Sequence, residues 1–176
     1  MRAFRAERLI KITARENFIP LPEAPVMVIH AIPFETFATG RQIDPYETLR
    51  DATILPMPPG RQYGDQPQTQ VTLDGFSIIA RPSGGKTHAY AQLFGTGALE
   101  GVTTVGGEET KHYLHAMTFE NTAVAAIRDY LKVLQTLDMG LPIVVLLSFC
   151  GMSRCFFRVP AEAGGWRCLR PRSASA

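Results

Sequence analysis

Between Phe76 and Leu147 the apolar positions follow two different periods. FSIIARP at 76–82 and HAYAQLF at 88–94 are apolar runs of strand length, separated by the glycine-rich turn SGGKT at 83–87. Thr96-Gly97 supplies a flexible corner into a third run, ALEGVTTV. There Leu99, Gly101, Thr103 and Val105 face one way and Ala98, Glu100, Val102 and Thr104 the other. From Glu120 to Leu137 the spacing lengthens to three and four. Ala123, Val124, Ile127, Leu131, Leu134 and Leu137 form the apolar stripe of a helix, and Glu120, Arg128, Asp129, Lys132 and Gln135 cover its other side. LPIVVLLSF at 141–149 then reads as a buried strand. This predicts an α+β fold with β-β-β-α-β core order: a mostly antiparallel sheet with one long amphipathic helix packed on one face.

The flanks add less regular pieces. Residues 2–16 predict a helix on which Arg2, Arg5, Arg8, Lys11 and Arg15 recur at three or four residues along one face, opposite a weak apolar side of Ala6, Leu9, Ile10 and Thr13. VMVIHAIPF at 26–34 reads as a central strand that buries His30 with a hydrogen-bonding partner. Asp44-Pro45-Tyr46-Glu47 is a helix start, with Asp44 as the cap. Prolines 56, 58, 59 and 67 predict a loop over 54–68, and TQVTL at 69–73 a short strand. Residues 106–118 are a loop or ragged strand, with Thr118 as a helix cap. The expected organisation is therefore a basic helix or linker over 1–19, an α+β domain over 20–157 and a disordered tail over 158–176. From Gly151 on the periodicity is weak, and SRCFFRVP at 153–160 could supply one more edge strand. The sheet would contain 26–34, 76–82, 88–95, 98–105 and 141–149.

Composition narrows the class. The 176 residues, 45% of them hydrophobic, suffice for one domain. A net charge of +2 points to neither a strong nucleic-acid footprint nor an acidic partner. Three cysteines make no complete disulfide set, and the first residues lack the apolar core of a signal peptide, so a cytoplasmic protein with reduced thiols is expected. The longest apolar run, 141–147, is too short to span a bilayer.

Candidate chemistry is thin. SGGKT ends like a phosphate loop, but the expected earlier glycine is Ala80, and a strand pattern follows where a helix is needed. A hairpin turn is the better reading, with Lys86 and Thr87 as anion or ligand contacts. His112 and His115, three apart beside Glu108 and Glu109, are further ligand-contact candidates but too few for a zinc site. Glu100 should lie at a rim or pair with a base, because a lone buried carboxylate is costly. No catalytic or metal-ligating set is assigned, and no cofactor.

FRAERLIKI at 4–12, PLPEAPVMVIHAIPF at 20–34, HAYAQLFGTGALEGV at 88–102 and ENTAVAAIRDYLKVLQTLDMGLPIVVLLSFCG at 120–151 together resemble one bacterial pattern. It is the region downstream of the Alba-type DNA-binding domain in bacterial schlafen-like proteins, which carry an ATP-binding label. The resemblance implies an accessory domain of a larger regulator. It does not carry the DNA-binding or ATP-binding role onto residues of this chain, because those belong to the upstream domain. The leading expectation is thus a non-catalytic accessory, sensor or protein-interaction domain. Its expected partners are that upstream domain or a second copy, with no membrane. One alternative is a nucleic-acid-contacting accessory using Arg2, Arg5, Arg8, Lys11 and Arg15. Another is a nucleotide-binding or hydrolytic enzyme domain.

Overall fold

The computed structural model describes residues 1–38, 40, 42–51, 55–82, 85–105, 112–161 and 165–169. Its elements in chain order are α1 (Arg2–Ala14), β1 (Val26–Pro33), α2 (Pro45–Arg50), β2 (Asp65–Thr72), β3 (Gly75–Pro82), β4 (Ala89–Phe94), β5 (Leu99–Thr104), β6 (His112–His115), α3 (Ala116–Thr136), β7 (Ile143–Cys150), β8 (Cys155–Ala161) and β9 (Gly165–Leu169). The fold is α+β. Six strands form an antiparallel sheet in the order β2-β3-β4-β5-β1-β7, and β6-β8-β9 form a second, smaller sheet. No helix among the described residues is long and apolar enough to cross a membrane.

The hairpins follow from their turns. The Thr96-Gly97 corner closes with Gly97 at φ 87°, the left-handed region a β-carbon disfavours, and the Phe94 amide donates to the Ala98 carbonyl across it. The sheet then has to bring in β1, whose every residue is buried. β1 lies between β5 and β7 and has helices over both faces, which explains its unbroken apolar run. Met27, Ile29 and Ala31 pack with Tyr130 and Leu134 of α3. Val26 and Val28 face the other way, with Ile12 and Leu9 of α1. Ile32 packs there with Phe4. Burying one such side chain contributes about 1.5–3 kcal/mol.

Several expectations change here. Of the two readings for 1–19, basic helix or linker, the helix is present as α1, and it covers the sheet face opposite α3, its stripe weakly apolar because it meets a partly polar surface. The 65–68 stretch is strand, not loop. Pro67 fits because β2 is an edge strand, so the amide proline lacks need not be on the side paired with β3. SRCFFRVP does supply a strand, β8, which runs parallel to β6, and within the tail expected to be disordered β9 pairs antiparallel with β8. The 106–118 segment contains β6, and α3 starts at Ala116, which puts Thr118 inside its first turn and not at its cap.

One close approach sets the α3 position. A β-carbon on Gly101, in mid-β5, would collide with the Tyr130 hydroxyl. Glycine therefore lets the fully buried Tyr130 ring lie directly on the sheet.

Candidate functional site

The β1–β5 register places His30 directly opposite Glu100, and the β4–β5 register places Gln92 opposite Glu100 on its other side. Side chains alternate along a strand, so Glu100, His30, Gln92 and Tyr90 all point to the α1 face. α1 lies over them with Arg8 pointing down.

Four donors converge on the Glu100 carboxylate, which is wholly buried. Arg8 grips it with both edges of its fork, Nε to Oε2 at 2.9 Å and Nη2 to Oε1 at 2.7 Å. The Tyr90 hydroxyl donates to Oε1 at 2.8 Å, and His30 Nε2 lies 3.1 Å from Oε2. An ionised carboxylate only accepts, so the proton of this last contact sits on Nε2. The outer layer holds Arg8 and Tyr90 in turn. Arg8 Nη2 reaches Asn17 Oδ1 at 3.3 Å, Asn17 Nδ2 donates to the Tyr90 oxygen at 2.6 Å, and the Arg8 guanidinium lies 5.1 Å over the Phe94 ring.

Burial alone would push the Glu100 carboxyl up. The hydrogen bonds from Arg8 and His30, with the Arg8 charge, overcome this and hold it at about 2. Burial likewise opposes the Arg8 charge, yet Glu100 holds the guanidinium above its ordinary value. Burial and the Glu100 charge push the Tyr90 phenol well above the usual range.

A cleft of about 560 Å³ opens beside this network. Arg8, Asn17, Tyr90 and Gln92 line it together with the β2–β3 turn at Val71–Asp74. Phe18 and Tyr46, 64% and 65% exposed, also line it. Tyr46 is positioned by the α2 cap: Asp44 Oδ1 accepts from the Tyr46 backbone amide at 2.8 Å. The Arg8 side chain, 12% exposed, is the cationic part of the floor.

The five cations expected to form a common face do not act as one. Arg8 is committed to Glu100, and Arg5 donates to Ser148 Oγ through Nε at 3.1 Å and Nη2 at 2.8 Å. Lys11 pairs with Glu7 at 2.6 Å and Arg15 with Glu23 at 3.0 Å, while Arg2 is exposed. The single solvated basic face is therefore corrected: the helical spacing is present, but part of it turns inward toward acceptors on the sheet. Lys86 is exposed on the β3–β4 turn and Thr87 is buried, its hydroxyl accepting from Arg81 at 3.1 and 3.3 Å. β4 follows that turn, so no helix amino end faces it. The side chains of His112 and His115 lie outside the described residues, as do Glu108 and Glu109; the backbone at 112–115 is β6.

Sequence reasoning passed over Asn17, Phe18, Tyr46, Tyr90 and Gln92. A signal existed for two of them, because Tyr90 and Gln92 share a strand face by their spacing of two. Asn17 and Phe18 sit in irregular chain, where no period marks them. Another acid–base pair also went unseen: His88 Nε2 lies 3.2 Å from the buried Asp65 Oδ2, which accepts the Gln62 amide at 2.6 Å. Among the described residues no group of three or more His, Cys, Asp or Glu is placed to hold a metal. In comparisons with known proteins, no family model, no curated protein and no solved structure matches this chain.

Proposed function

We propose that this chain is a non-catalytic accessory domain of the sensor kind, which takes a small planar ligand into the cleft above the Arg8–Glu100 network. The observation that carries the reading is the pairing of a preset polar floor with an aromatic, solvent-facing wall, the usual make-up of a small-molecule site. Arg8, Asn17 and Gln92 hold one another as a fixed polar and cationic floor, and Phe18 and Tyr46 offer ring faces. The ligand class is a flat heterocycle or aromatic acid bearing a carbonyl or carboxylate acceptor. The domain would be built on the β-β-β-α-β unit, with α3 as its one long helix over one face. An accessory role in a larger cytoplasmic regulator is also what the schlafen-like resemblance implies.

Binding is favoured over turnover by the state of Glu100. A carboxylate held at about 2 is too weak a base to take a proton near neutral pH, and its four donors already occupy it. The nucleic-acid reading has less support, since Arg5 and Arg8 spend their donors inside the fold.

The test is ligand-observed NMR with indole, benzoate, adenine and uracil, on the wild type, Phe18→Ala and Tyr46→Ala. At least one probe should bind between about 10 μM and 1 mM and weaken at least about fivefold in each variant. No binding, or binding indifferent to both substitutions, refutes the cleft. A single-stranded oligonucleotide run in parallel decides the alternative, whose mark is affinity falling steeply with salt.

A further inference from the structure

The six-stranded sheet has two edges, and the chain treats them differently. β2 reads DQPQTQVT: it carries Pro67, and six of its eight residues are exposed. That is how a strand is kept from pairing with another chain. β7 reads IVVLLSFC, with no charge, no proline and an unbroken register to β1. Among the described residues β1 is its only strand partner, so its outer side carries no ladder partner among them.

The apolar surface continues from this edge onto α3. Asp129 accepts the Met57 amide at 3.0 Å, and a β-carbon on Gly60 would touch Thr103 of β5 and Thr122. One flank of α3 therefore faces the 57–60 loop on the β5 side. The opposite flank carries Met117, Val124 and Leu131, all exposed, with Val124 at 56%. The Phe119 and Phe149 rings meet edge-to-face at 5.5 Å. From Phe119 to Val124 the helix advances roughly 7 Å, and from Phe149 back to Leu147 the strand covers about the same distance. Val124 thus lies level with Leu147, the most exposed residue of β7 at 40%.

We infer that β7 pairs antiparallel with β7 of a second copy of this chain, about a two-fold axis near Leu147 and Val124. The occupant follows from self-complementarity. An antiparallel two-fold sets each residue of a strand against its own sequence, which punishes any charge, and 141–151 has none. On α3 the same axis puts Val124 against Val124, Met117 against Leu131, and Glu120 against Arg128 of the other copy, so opposite charges meet. An eight-residue strand is roughly 27 Å long, and with α3 some 10 Å from the sheet the strip covers on the order of 270 Å² per copy. That is below the standard size of a specific interface and points to weak, reversible association. This inference is independent of the cleft, which lies on the other sheet face toward β2.

Sedimentation velocity on the intact chain from 1 to 200 μM tests it. A concentration-dependent shift to twice the 19.4 kDa chain mass is expected. Leu147→Lys should leave a monomer with unchanged far-UV circular dichroism. Val71→Lys, on the β2 edge, should leave the dimer intact. If Leu147→Lys misfolds, Val124→Glu on the exposed helix flank takes its place and should raise the dimer Kd at least tenfold. A wild type monomeric at 200 μM overturns the proposal. So does a folded Leu147→Lys or Val124→Glu protein that still dimerises, or a dimer lost in Val71→Lys.

Discussion

Arg8→Met is the most informative single change, because it keeps an unbranched stem and removes the guanidinium fork. Glu100 then loses donors at 2.9 and 2.7 Å and keeps only Tyr90 and His30, while remaining fully buried. Removing one partner of a buried pair costs about 3–5 kcal/mol, a large part of an ordinary domain's 5–15 kcal/mol. In a chain of this size the loss corresponds to a fall in Tm on the order of 10 °C. The pH dependence separates this cause from lost packing. In the wild type the Glu100 carboxyl is held at about 2, below its ordinary 4.5. Its contribution, roughly 3 kcal/mol for a shift of that size, is complete above pH 4.5 and drains away as pH falls toward 2. Without Arg8, burial raises the folded carboxyl, and protonation then relieves the variant. The stability gap between the two proteins should be widest at pH 7 and narrow at pH 5 and pH 4, read by urea unfolding. The double variant Arg8→Met/Glu100→Leu should recover part of the loss at pH 7, because no uncompensated charge remains. A single variant within about 1 kcal/mol of wild type, or a gap that widens on acidification, would refute the argument.

Other expectations follow from close contacts. Gly101→Ala should cost about 1–3 kcal/mol in urea unfolding, because its methyl displaces the Tyr130 hydroxyl. Tyr130→Phe should be neutral or stabilising by up to about 1 kcal/mol, since that buried hydroxyl has no hydrogen-bond partner among the described residues. Asp44→Ala should cost about 1 kcal/mol by removing the α2 cap, and should weaken probe binding in the cleft by loosening Tyr46. Cys150 should react with a thiol reagent well before Cys155, which is buried and whose thiol burial pushes up; equal rates would contradict the packing.

The residues show why some of this was legible in advance. The glycine-cornered hairpin is a local pattern, readable within a dozen residues, and the β4–β5 pair stands where that pattern puts it; α3 starts earlier than its stripe suggests, and Val124 and Leu131 of that stripe are exposed. Glu100 as a carboxylate in need of a base was also legible, since the cost of burying it alone is general. The identity of the base was not. Arg8 looks like every other cation on α1 until β1 and β5 are laid side by side, 92 residues from Arg8 to Glu100. Pro67 argued for loop because sequence does not tell an edge strand from a central one. The cleft was invisible for the same reason, drawing its walls from α1, α2, β4 and the β2–β3 turn, which share no motif.

The central position of β1 has a consequence for how the chain is made. Ribosomes release Val26–Pro33 early, yet its neighbours Leu99–Thr104 and Ile143–Cys150 arrive much later. Meanwhile β2 to β5 can zip locally, hairpin by hairpin. This greasy early segment must wait for the last strand of its own sheet, a non-local pairing of the kind that slows folding and leaves apolar chain exposed in the meantime.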